Sequence, residues 1–395
     1  MNLFTYLLSK KGKNSLVYKG DLFSYLLGKK TPKEVKTVTG TIISITDATR
    51  EKIVNLTLSK ESTQDGTPTP SNPVQIKTVK GYRNLFDLKD GEYSAYGITA
   101  IVENGEITLN GTATANSFIA IERNSQMIWK ENTDYTVYGF NDVSNSNVII
   151  RVNSSGQLDT KLNEVNKVQT INTDTYNDRL IGMINIRVQS GTTLTNYKFK
   201  PMLIEGTNTS LPYVPYGTNW VYTKITNGTD TNYYTIPLND NEICGIGDYK
   251  DELIIDKNGH CWLNKKTGKI IFDGSESGWV KSSNINVDRY VINTNLYLTN
   301  INSLCNYFSY GSITNYTVGK WNNNVSVQMI FNFANYGTTT LEDWKTWLSS
   351  HNLELLQPLV TPELIDLNYT VDMTLFEGVN NISNSDDMDM ILKYY

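Results

Sequence analysis

The stretch Gly105-Glu106-Ile107-Thr108-Leu109-Asn110-Gly111-Thr112 decides the fold class. Its apolar and polar residues alternate at period two, the spacing that turns one strand face inward and the other to water. Asn104-Gly105 and Asn110-Gly111 bracket it, and Asn-Gly tolerates the positive φ angles of tight hairpin turns. Short apolar runs of the same kind follow at Ile119-Ala120-Ile121, Tyr135-Thr136-Val137-Tyr138, Val148-Ile149-Ile150-Arg151-Val152 and Met183-Ile184-Asn185-Ile186-Arg187-Val188. No 3.6-residue apolar period of ten residues or more interrupts them. Many short strands separated by turns predict a β-sandwich over 81–217.

Composition agrees. The 395 residues are 39% hydrophobic but only 19% charged, so Asn and Thr, roughly a quarter of the chain, supply the surface polarity. Those side chains disfavour helix interiors, where they compete for backbone hydrogen bonds or crowd the preceding turn. Thr and the 25 Tyr fit a pleated, half-buried surface. A net charge of -5 and the absence of a dense basic patch argue against nucleic acid as the partner. No apolar run is long enough to span a bilayer, so no membrane insertion is expected. The opening Met1-Asn2-Leu3-Phe4-Thr5-Tyr6-Leu7-Leu8-Ser9-Lys10-Lys11 puts charge after the apolar stretch, the reverse of a secretory signal.

That opening is also half of a repeat. Leu3-Phe4-Thr5-Tyr6-Leu7-Leu8 returns as Leu22-Phe23-Ser24-Tyr25-Leu26-Leu27, each copy followed by paired lysines. Helices this short are marginal alone and must bury their apolar side against something. Two readings stand: ordinary packing on the rest of the chain, or a docking segment carried by Leu3, Phe4, Tyr6, Leu7, Leu22, Phe23, Tyr25 and Leu26. Residues 1–34 are therefore an expected helical anchor. Residues 35–80 read as a β-hairpin followed by a connector, because Pro68, Pro70 and Pro73 fix φ and remove ladder donors.

The remainder, 218–395, reads as a second β-rich domain with one helix near 341–350. Thr340 is its expected N-cap with Asp343 at N3, and Leu341, Trp344, Trp347 and Leu348 form its apolar stripe. Its end is expected at Ser349 or Ser350, with Pro358 and Pro362 blocking continuation. Asp256-Lys257-Asn258-Gly259 is an expected turn between two strands, and the closing residues 388–395 an alternating strand paired in a sheet. The expected fold is thus all-β: two sandwich or jelly-roll-like domains, a short N-terminal helical anchor, and one C-terminal helix.

Catalytic signatures are missing. Only His260 and His351 are present, and no nucleophile-elbow, HExxH or P-loop spacing occurs. Cys244, His260, Cys261 and Cys305 lack the paired spacing of structural zinc sites, so no metal and no cofactor is expected. Glycoside cleavage needs only two carboxylates; Asp248, Asp251 and Glu252, or Asp386, Asp387 and Asp389, are such groups, though solvated turns explain them too. Tyr and Trp rings stack on sugar faces while Asn and Thr bind hydroxyls, so the composition suits carbohydrate, with the individual contact residues unassigned.

Several ordered motifs carry a resemblance. Gln64-Asp65-Gly66-Thr67-Pro68-Thr69-Pro70-Ser71-Asn72-Pro73-Val74, Asn84-Leu85-Phe86-Asp87, Leu109-Asn110-Gly111-Thr112, Lys200-Pro201-Met202-Leu203 and Tyr213-Val214-Pro215-Tyr216-Gly217 lead the series. Gly247-Asp248-Tyr249-Lys250-Asp251, Phe272-Asp273-Gly274-Ser275-Glu276 and Phe376-Glu377-Gly378-Val379-Asn380-Asn381-Ile382 follow. In this succession the chain resembles minor structural proteins of bacteriophages and prophages of Gram-positive hosts. The resemblance implies a virion appendage (tail tip, baseplate or fibre) whose sandwich is like a carbohydrate-binding module. It implies a homotrimer, contacts with other virion structural proteins, and binding of host cell-wall polysaccharide or teichoic acid during adsorption. It carries over no catalytic residue. A glycan-degrading appendage enzyme and a purely structural capsid or tail connector are the alternatives.

Overall fold

The computed structural model describes residues 36–394 except 49–52, 126, 129, 140–144, 155–158, 164–166, 174–179, 210, 283–287, 294–302, 312–316, 323–326 and 334–339. The expected anchor, with Leu3, Phe4, Tyr6, Leu7, Leu22, Phe23, Tyr25 and Leu26, lies outside the described residues.

The chain is all-β, with one helix among the described residues. It begins with β1 (Lys36–Gly40), β2 (Ile42–Ala48) and β3 (Ile53–Ser59). The expected hairpin over 35–80 is replaced by a different arrangement. β2 and β3 are consecutive but join different sheets: β2 pairs with a strand near residue 381, β3 with one near 391. Both sheets form one sandwich with strands supplied much later in the chain. The Pro-rich segment after β3, expected as an extended connector, instead doubles back: Thr63 bridges Lys77, and Thr69 bridges Asn72 around a tight turn at Pro70-Ser71. It lies along residues 304–309, with Val74 N donating to Asn306 O at 2.8 Å and Gln64 Nε2 to Cys305 O at 3.0 Å.

A complete sandwich is then inserted. After β4 (Tyr82–Arg83) come β5 (Gly91–Ala95), β6 (Ile98–Glu103), β7 (Glu106–Thr112), β8 (Ser117–Ile121), β9 (Met127–Ile128), β10 (Asp134–Tyr138) and β11 (Val148–Ser154). β12 (Asp159–Leu162), β13 (Gln169–Asn172), β14 (Leu180–Val188), β15 (Thr193–Phe199) and β16 (Met202–Glu205) complete it. The sheets β15-β7-β6-β5 and β12-β11-β14-β8 face each other, with β13-β10-β16 beside them. Ile98, Ile107 and Leu109 meet Ile119, Ile150, Ile184 and Ile186 in a core drawn wholly from this insert. Asn84 latches its base: Nδ2 donates to Val214 O at 3.0 Å, while Oδ1 accepts from Phe86 N and Leu203 N at 3.0 and 3.2 Å. Three of the motifs quoted above therefore meet at one buried amide.

The chain returns to the first sandwich with β17 (Asn219–Thr226), β18 (Thr231–Asn239), β19 (Gly245–Ile246), β20 (Tyr249–Lys250), β21 (Glu252–Ile255) and β22 (His260–Phe272). It leaves again through β23 (Val280–Ser282), β24 (Asp288–Asn293), β25 (Leu304–Cys305), β26 (Ser309–Tyr310), β27 (Thr317–Asn322), β28 (Val327–Phe333) and helix α1 (Leu341–His351). Thr340 caps α1 in a reciprocal capping box with Asp343, as expected. The helix stops at Asn352, whose left-handed φ of 38° serves as the C-cap. Pro358 and Pro362 fall later, inside a strand. Trp344, sandwiched between Tyr290 and Trp347 at centroid distances of 4.7 and 5.4 Å, anchors the aromatic core of this small unit.

β29 (Leu353–Thr370), β30 (Gly378–Asn384) and β31 (Asp389–Tyr394) close the first sandwich. Its sheets are β1-β31-β3-β21-β22-β29-β25 and β18-β17-β30-β2. Leu56, Leu58, Leu253, Leu263, Met390 and Leu392 pack against Ile43, Ile45, Val221, Ile225, Ile236 and Ile382 between them. The region expected as one domain, 218–395, is thus divided between this sandwich and the aromatic unit. The long β22–β29 ribbon links the two. Cys261 and Leu263 sit in the sandwich core at one end, and Phe272 and Leu353 in the aromatic core at the other.

Candidate functional site

The outer face of the β18-β17-β30-β2 sheet gathers the groups that the composition leads one to look for. On β17, Val221, Thr223 and Ile225 point into the core, so Tyr222, Lys224 and Thr226 point out. The register places Tyr233 opposite Lys224, Thr235 opposite Tyr222, and Thr231 opposite Thr226. On the other side of β17, Asn381 and Ser383 of β30 face outward, followed by Ser44 and Ile42 of β2. Ile42 is 67% exposed and Tyr233 39% exposed, so the face is open to solvent.

Rings run across one end of this face. Tyr222 meets Tyr233 edge-on at 5.4 Å and Tyr82 edge-on at 6.2 Å, and the Lys224 ammonium lies 6.0 Å from the Tyr233 ring centre. The contacts set the rings at steep angles to one another, 71° for Tyr82 with Tyr222 and 79° for Tyr222 with Tyr233. Polar groups continue the platform: Ser44 Oγ donates to Asn381 Oδ1 at 2.7 Å, and Thr231 Oγ1 to Thr226 Oγ1 at 2.9 Å. Below the rings, Ser385 Oγ donates to Asp386 Oδ2 at 2.6 Å. Burial pushes the Asp386 carboxyl above its ordinary range and pushes the Tyr82 and Tyr222 hydroxyls up as well. Chemically, the face offers apolar rings, hydroxyls, an amide and one cation on a flat support. Groups of these kinds are chemically able to stack on, and hydrogen-bond to, polyhydroxylated molecules.

The carboxylates quoted as catalytic candidates have other engagements. Asp251 is wholly buried, and its Oδ1 accepts from Lys266 N, Thr267 N and Thr267 Oγ1 at 2.8–3.0 Å. Glu252 pairs with Lys266 at 2.6 Å and Asp389 with Lys250 at 3.1 Å. Asp387 occupies a left-handed turn at φ 47°, and Asp248 lies in the β19–β20 turn. The thiols are dispersed: Cys261 belongs to the sandwich core, Cys305 to the aromatic core, and Cys244 to a small cluster with Ile76, Ile246 and Leu356. Desolvation raises each to about 12. His260 shows part of its ring to solvent and meets Asp366 at 2.7 Å, on the opposite strand face from Cys261. Among the described residues, no group of three or more His, Cys, Asp and Glu is arranged to hold a metal ion.

Sequence reading alone missed the Tyr222–Tyr233 face. Its signal was the Asn227-Gly228 turn between two alternating stretches, but a face emerges only when β30 and β2 are placed beside β17. A scan against protein-family models and a search of curated proteins found no match to this chain.

Proposed function

We propose that this chain is a structural protein of a bacteriophage virion, in the tail, baseplate or fibre, and that it binds host cell-surface glycan during adsorption. The observation that carries the binding half is the open sheet face, where Tyr222, Tyr233, Lys224, Asn381 and Ser383 lie side by side. The appendage half rests on the ordered motifs from Gln64 to Ile382 and on the repeated apolar segments of residues 1–34. In this reading those segments dock into other virion proteins. Three copies project their sandwiches outward, so that individually weak contacts with wall polysaccharide or teichoic acid gain strength through avidity. The face holds its glycan without cleaving it.

Labelling virions with gold-tagged antibody against residues 81–217 tests the assignment. Decoration of the tail or of another surface appendage is the expected result, together with inhibition of adsorption by purified protein. Unlabelled particles and unchanged adsorption would contradict it.

A further inference from the structure

A second site, unrelated to the glycan face, lies where the β22–β29 ribbon leaves the sandwich. The ladder between these strands shifts register between Lys265 and Thr267, a bulge that frees backbone N–H groups. Asp251, just before β21, fills it. Its Oδ1 accepts from Lys266 N at 2.8 Å, Thr267 N at 2.9 Å and Thr267 Oγ1 at 3.0 Å. Its Oδ2 accepts from Cys244 N at 3.0 Å and faces the Lys265 ammonium at 2.5 Å. The Asp251 side chain is wholly buried and that of Lys265 only 15% exposed. The remaining contact of Lys265 Nζ is the Glu242 carbonyl, at 2.9 Å.

We propose that Lys265 and Asp251 condense into an intramolecular isopeptide bond. Three features of the geometry favour it. Asp251 stands opposite Lys265 beside the β21–β22 ladder, so sheet packing holds amine and carboxyl together, and such fixed proximity supplies a very large effective concentration. The three donors on Oδ1 form a pre-set cradle for the oxyanion that develops when nitrogen attacks Cγ. Holding two charges out of water as an ion pair carries a desolvation cost, which conversion to a neutral amide removes.

The step balances without an outside reagent. One ammonium proton passes to Oδ2 across the short contact, leaving a neutral amine and a carboxylic acid. The Nζ–Cγ bond forms and the Cγ–Oδ2 bond breaks. Oδ2 departs as water with two of the three ammonium protons, and the third remains on the amide, directed at the Glu242 carbonyl. The product ties the start of β21 to the bulge of β22, which stiffens the ribbon at the point where the sandwich and the aromatic unit join.

Mass spectrometry of the intact, full-length chain reads this directly. The expected mass lies one water below the sequence mass in most molecules, and proteolysis yields a branched peptide containing both Asp251 and Lys265. Lys265→Arg should restore the full mass at that site, whether or not it lowers stability. A full sequence mass in most wild-type molecules would overturn the proposal. So would a water deficit that maps elsewhere, such as cyclisation at Asp65-Gly66, Asp90-Gly91 or Asp273-Gly274.

Discussion

Asp386, below the Tyr82 and Tyr222 rings, shows how one buried carboxyl couples stability to pH. Burial dominates its environment and raises its carboxyl, against the opposing help of the Ser385 hydroxyl and the Lys60 charge. A carboxyl whose folded-state pKa lies above its unfolded value binds its proton more tightly in the folded chain. Its contribution is therefore fully present below the ordinary carboxylate range and is lost as pH rises through the raised value. Asp386→Asn keeps the shape without the charge. Thermal unfolding followed from acid to neutral pH should show the variant gaining on the wild type as pH rises; parallel curves would count against a raised carboxyl. Asp251 is the contrasting case. It is more deeply buried, yet every oxygen is supplied with donors, and nothing in its neighbourhood in sequence announces that. Its partners arise from a bulge fourteen to sixteen positions away, and a bulge is not written in local propensity.

At the scale of elements, local chemistry was legible where a feature closes on itself. Asn104-Gly105 forms the expected tight turn between β6 and β7, with φ of 50° and 76°. α1 begins at the expected cap because a capping box needs only residues three apart. Thr340→Ala should cost the aromatic unit about 1 kcal/mol. Hydrogen exchange of the α1 amides would report it as faster opening, and unchanged protection would show that the aromatic core alone sets the helix. The second Asn-Gly was misleading. Gly111 lies within β7 at φ 115°, where a Cβ would meet the Gly97 carbonyl oxygen at 2.1 Å. Glycine is needed there for close backbone approach rather than for a turn. Alternation revealed strands and their inward faces, but a strand carries no local record of its partner.

That gap matters most at the scale of the whole molecule. β1 pairs with β31, Lys36 opposite Tyr394, so nearly the full described chain separates two neighbours in one sheet. Two units are inserted into the sandwich that these strands close, and each has its own core. The all-β class could be read from turn spacing, and one of its cores, from Phe86 to Leu203, comes from a contiguous stretch. The divided sandwich could not, because its strands come from three separated stretches. The Tyr222–Tyr233 face is a product of this assembly: β2, β17, β18 and β30 meet only when the chain returns twice. Its proposed role is tested most directly by retention of purified full-length protein on immobilised host cell-wall polysaccharide, with the eluate assayed for released reducing ends. The wild type should be retained without releasing sugar. Tyr222→Ala and Tyr233→Ala should each weaken retention by roughly tenfold, about 1.4 kcal/mol of binding; Tyr233→Ala should unfold near the wild-type temperature, whereas Tyr222→Ala should also lose stability because its ring packs on Tyr82 and the Trp220 cluster. Equal retention of wild type and variants, or release of reducing ends by the wild type, would contradict the account.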